Sequence, residues 1–155
     1  MEAAVRDLIE NLGRQEGTYQ NMRVLARQQL EAAADPVGSG FDEDVILKEK
    51  AELVEDLQLL TARARLLERD LAQRFGMPEF SLKGMSGNIS DELYQSLAEA
   101  FARLGGVLKD IADLDAETIQ LMNSRLSTYR AHRRQPANTA QAVRAYRDAS
   151  RLKKD

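Results

Sequence analysis

The chain has 155 residues, with 22 Lys+Arg against 25 Asp+Glu and a net charge of −3. That length suggests a single domain, large enough to bury a core if its elements are long and few. Cysteine is absent, which excludes a disulfide framework, a thiolate metal site and a thiol nucleophile, and leaves a reducing cytoplasm as the expected compartment.

Ala, Leu, Glu, Gln and Arg dominate, tryptophan is missing and there are three prolines. Unbranched side chains of this kind lose little rotamer freedom in a helix, so the composition points to an all-α fold. The opening MEAAVRDLIENL is acidic and amphipathic, unlike a secretory signal, and no apolar run reaches the ~18 residues of a membrane span. Charge is unevenly distributed. Residues 130–155 carry 8 Lys+Arg and 2 Asp+Glu, a net of +6, whereas residues 1–129 carry 14 basic and 23 acidic residues, a net of −9.

Taken in chain order, residues 2–34 place Val5, Leu8, Ile9, Leu12, Tyr19, Met22, Leu25, Ala26 and Leu30 on one helical stripe. Gly13 and Gly17 interrupt it and mark either a bend or a close helix approach. Asp35-Pro36-Val37-Gly38-Ser39-Gly40 is a stop and turn. A second helix is predicted over residues 42–75, with Asp42 as N-cap and Phe41 and Ile46 as a hydrophobic staple. Ile46, Leu53, Leu57, Leu60, Ala64, Leu67, Leu71 and Phe75 follow alternating three- and four-residue steps, the seam of a helix packed along its length. Lys50 fills the one missing seam position, and Gly76 and Pro78 end the helix. Residues 76–89 read as an irregular loop whose Phe80, Leu82 and Met85 cover one end of the bundle. A third helix is predicted from Ser90 to about Tyr129, with the stripe Leu93, Leu97, Phe101, Leu104, Leu108, Ile111, Leu114, Thr118, Met122 and Leu126 and a local irregularity at Gly105-Gly106. Beyond Ala131 the chain is basic and broken by Pro136, followed by a short amphipathic repeat of Val143, Tyr146, Ala149 and Leu152.

These elements predict an antiparallel three-helix bundle of long, coiled-coil-like helices over residues 1–131, followed by a basic, amphipathic tail over residues 132–155. A tail helix of that length is marginal in water and would hold its shape only when docked.

The residues offer no site for chemistry. The single His132 lies in the basic tail, so neither a paired Glu-x-x-His metal site nor a histidine-based triad is available. Asp110, Asp113, Asp115 and Glu117 lack the glycine at which a calcium loop turns and read as a solvated helix face. Gly84-Met85-Ser86-Gly87 lacks a phosphate-binding lysine. Neither catalysis, a cofactor, a metal nor a small-molecule substrate is expected. The expected activity is protein binding, with Met122, Leu126, Tyr129, Val143 and Tyr146 as the candidate contacts, since Met adapts to varied surfaces and Tyr is enriched in binding hot spots.

The stretch ILKEKAELVEDLQLLTARARLLERDLAQRFGM, Ile46 to Met77, resembles the second helix of the FlgN-type flagellar export chaperones. There, a Lys- and Glu-rich start leads through a leucine seam to basic residues and a Leu/Phe-Gly end. LAEAFARLGGVLKDIADLDAETIQLMNSRLSTYR, Leu97 to Arg130, is similar to the third helix of that family. Where the family often carries Leu-Asn-x-x-Asn, this chain has Leu114, Asp115 and Thr118; Tyr146 matches the tyrosine of the family's C-terminal segment, with Ser150 in place of a nearby glycine. The resemblance implies a non-catalytic cytoplasmic chaperone. Its clients would be the C-terminal helices of the hook-associated, hook–filament junction proteins, and it would deliver them to the membrane export gate of the flagellar type III secretion apparatus.

Two other readings stay open on the residues alone. The same seams would serve a structural bundle that self-associates into a homo-oligomer. Nucleic-acid binding through the tail would have to work against the −9 body and would weaken steeply with salt, so no nucleic-acid partner is expected.

Overall fold

A computed structural model describes the backbone of residues 2–152 and the side chains of residues 2–132 together with Arg144, Tyr146 and Arg147. Among the described residues all regular structure is helical, with no strand: α1 (Glu2–Ala34), α2 (Glu43–Arg74), α3 (Leu82–Met85) and α4 (Asp91–Leu152). It divides into two compact units, Met1–Glu117 and Thr118–Asp155.

In the first unit, α1, α2 and the start of α4 pack together around Val5, Leu8 and Leu12 from α1, Ala64, Leu67 and Leu71 from α2, Met85 from α3, and Leu97, Ala100 and Leu104 from α4. Removing each of the larger side chains from water contributes ~1.5–3 kcal/mol. The polar contacts fix the directions of the helices. Asn11 meets Leu60 and Gln29 meets Lys50, so α1 and α2 run in opposite senses. Glu16 meets Arg103 and Arg23 meets Asp110, so α1 and α4 ascend together.

Helix ends follow local chemistry. At the first turn Asp35 accepts from the Gly38 N–H at 2.9 Å, and Gly40 has φ +73°. Asp42 caps α2 by accepting from the Asp44 N–H at 2.9 Å. At its other end the Met77 N–H donates to Ala72 at 2.8 Å and the Gly76 N–H to Gln73 at 3.4 Å, with Gly76 at φ +67°. This pair of bonds around a left-handed glycine satisfies the carbonyls of the last turn. Ser90 caps α4 through the Leu93 N–H at 3.3 Å.

Several expectations are corrected. Among the described residues the helices number four rather than three, because the 76–89 connector contains a one-turn helix: Ser81 accepts from the Gly84 N–H at 2.9 Å, and the turn drives Met85 to complete burial. The connector does close over the apolar interior, with the Phe80 and Phe101 ring centroids 6.1 Å apart. The last helix does not stop near Tyr129 or break at Pro136 but runs to Leu152. An interior proline removes one backbone hydrogen bond, yet helix propagation is far easier than nucleation, and the flanking Ala-, Arg- and Gln-rich stretches favour it. Finally, a Cβ added at Gly13, Gly17, Gly105 or Gly106 would meet nothing within 4 Å, so these glycines mark neither a close helix approach nor an irregularity in α4.

Candidate protein-binding surface

A helix that has spent its apolar face on a core leaves only polar residues outside. In the second unit the described part of α4 does the opposite. Ile119, Met122, Leu126 and Tyr129 are spaced by three, four and three residues, which places them on one face. Their exposures are 58, 44, 47 and 58 %. Single exposed apolar residues need no explanation, but four at seam spacing form a stripe of the kind that marks partner sites. Met122, Leu126 and Tyr129 are thus brought together. Ile119 completes the stripe and was hidden from sequence reasoning because Thr118, its buried neighbour, satisfies the same spacing.

Tyr146 is 76 % exposed but lies 17 residues beyond Tyr129 on the same helix, about 25 Å along its axis, and does not join the stripe. The side chain of Val143 falls outside the described residues.

The acidic cluster of α4 is not simply a solvated face. Asp110 accepts from Arg23 of α1 at 3.1 Å, and Asp115 lies 3.7 Å from the ammonium of Lys50 in α2. Lys50 also donates to Gln29 of α1, so the polar interruption of the α2 seam ties three helices together. A buried pair that the apolar periodicity did not reveal lies nearer the start of α1. Asn11 donates to the Leu60 carbonyl at 3.0 Å and accepts from Gln15 at 2.7 Å, with both residues buried. Burial pushes the Glu68 carboxyl above its ordinary range, and the charge of Arg65 opposes the shift.

Among the described residues no three His, Cys, Asp or Glu side chains are grouped to hold a metal, and no helix is long and apolar enough to cross a membrane. The chain matches no protein-family model, no characterised protein and no solved structure in sequence or fold comparisons. The surface therefore rests on its own geometry: an apolar ridge along one helix, able to bury itself against an amphipathic helix from another chain.

Proposed function

We propose that this chain is a non-catalytic, cytoplasmic export chaperone of the FlgN type. In this reading α1, α2 and the first part of α4 form an antiparallel three-helix body, and residues 132–155 act as a separate basic tail. The clients are the C-terminal helices of hook–filament junction proteins, bound one to one and passed to the flagellar export gate. The observation that carries the reading is the exposed stripe Ile119, Met122, Leu126 and Tyr129. A client helix that is apolar on one face and unfolded when alone needs a ridge of this kind, and augmentation by a second helix hides both surfaces from water.

The test is co-purification with the C-terminal segments of junction proteins, comparing the natural chain with Met122→Glu/Leu126→Glu. A stable complex with the natural chain and at least about a tenfold loss of affinity in the variant are expected, because two buried contacts become charged. Both substitutions fall on exposed positions, so helicity and melting should stay unchanged. If no junction segment binds, or if the variant binds as well as the natural chain, the reading fails. Self-association through the stripe without any client would replace it with the structural alternative.

A further inference from the structure

Away from α4, the groove between α1 and α2 is not filled. A hollow of about 470 Å³ opens there, with Val24, Leu25 and Leu53 among its lining and Glu49, Glu52 and Asp56 on its α2 wall. Val24 is 53 % exposed, and Leu59, one turn farther along α2, is 76 % exposed. The three carboxylates are exposed and make no ion pair among the described residues. The groove therefore offers apolar lining beside an acidic wall that no ion pair among the described residues neutralises.

We propose that this groove receives the basic C-terminal segment of a second copy of the chain. Charge selects the occupant: residues 1–129 carry a net −9 and would be repelled, whereas residues 130–155 carry +6. Spacing supports it. The wall steps by three and then four residues, from Glu49 to Glu52 to Asp56, and Arg144, Arg147 and Arg151 follow the same steps. Both sets lie within helices, α2 and α4, so each spans about 10 Å at ~1.5 Å per residue. In the sequence Val143 and Tyr146 each precede one of those arginines, so the segment interleaves apolar and basic residues. Arg144, Tyr146 and Arg147 are exposed. The apolar residues of the segment suit the apolar lining of the groove, and its arginines suit the carboxylates. Reciprocal exchange of the two segments would close a symmetric dimer.

Sedimentation of the full-length chain at low and high salt tests this. The natural chain should dimerise at low salt and dissociate as salt screens the wall. Glu49→Lys/Glu52→Lys/Asp56→Lys and, separately, Arg144→Glu/Arg147→Glu/Arg151→Glu should each weaken dimerisation at least about tenfold, with circular dichroism unchanged. Mixing the two reversed chains should restore association between them, an outcome that general misfolding cannot produce. Should the wall reversal unfold the chain, Glu49→Gln/Glu52→Gln/Asp56→Gln takes its place, with the same loss expected. A chain that is monomeric at low salt, variants that dimerise like the natural chain, or failure of the reversed pair to associate would each overturn the proposal. The Ile119–Tyr129 stripe is untouched in all these variants, so the outcome is independent of client binding.

Discussion

The side-chain amide of Asn11 donates to the backbone carbonyl of Leu60 at 3.0 Å, bridging α1 and α2, while its oxygen accepts from Gln15 at 2.7 Å. Both side chains are buried, so neither can exchange these bonds for water without opening the helix pair. A directional contact of this kind favours one alignment of two helices that leucine packing alone would leave free to slide. Asn11→Ala strands the Gln15 amide and should cost ~1–3 kcal/mol. Asn11→Leu/Gln15→Leu removes both polar groups and should be more stable than Asn11→Ala. Urea denaturation of the three proteins decides the matter, and a double variant weaker than the single one would count against the network.

Lys50 presents the opposite case. Its side chain is 19 % exposed and holds Gln29 and Asp115, but the ammonium is partly desolvated at a seam position where its neighbours in the repeat are apolar. Removing a charge from water costs more than a weak ion pair returns. Lys50→Met keeps the packed stem and should stabilise the fold by about 1 kcal/mol, provided Asp115, 46 % exposed, remains hydrated. A lower melting temperature would show that the three-helix tie outweighs desolvation.

Gly17 and Gly106 lie inside helices with open space where a side chain would project. Alanine at either position should add about 1 kcal/mol by restricting the unfolded chain and favouring helix. Gly76 is different, since its φ of +67° belongs to the C-terminal cap of α2. Gly76→Ala should lose ~1 kcal/mol. Thermal melts of the three single variants should split two up and one down.

Glu68 gives the fold a pH dependence with a definite sign. Burial raises its carboxyl above the unfolded value, so the folded state holds the proton more tightly than the unfolded one. That contribution is fully present below the unfolded pKa and is lost as pH rises through the folded one. Glu68→Gln should therefore melt higher than the natural chain at neutral pH, with the gap closing in acid. A constant gap across that range would assign the effect to something other than titration.

Both ends of α2 and the start of α4 were readable in the residues because capping is local: Asp42, Gly76 and Ser90 each act within four residues of themselves, whereas the far end of α4, expected near Tyr129, lies at Leu152. The core face of α4 was readable only in part. Its buried seam is Leu97, Ala100, Leu104, Val107 and Ile111, whereas periodicity favoured the larger Phe101 and Leu108, and Leu108 is 40 % exposed. Small residues sit where helices approach closely, and size misleads when two neighbours satisfy the same period. The one-turn α3 was too short to show any period at all. Asn11 and Gln15 look like surface residues until their partners on α2 and α1 are known. Of the candidate contacts, Met122, Leu126 and Tyr129 share a face because helical spacing alone places them there, but which apolar residues the core would leave uncovered depended on tertiary packing.

The two connectors of the helical body differ in kind. At 35–41 the chain turns in the open, with Val37 96 % exposed. At 76–90 it is anchored to the interior through its middle: Met85 is fully buried, Phe80, Leu82 and Ile89 pack against the core, and a Cβ on Gly84 would strike the Met77 sulfur at 2.3 Å. New sequence is therefore unequally welcome. A reporter, an epitope or new chain termini opened at the first turn would leave the hydrophobic interior intact, whereas the same graft at the second would pull out its plug. Freedom to elaborate this fold is confined to one of its two ends.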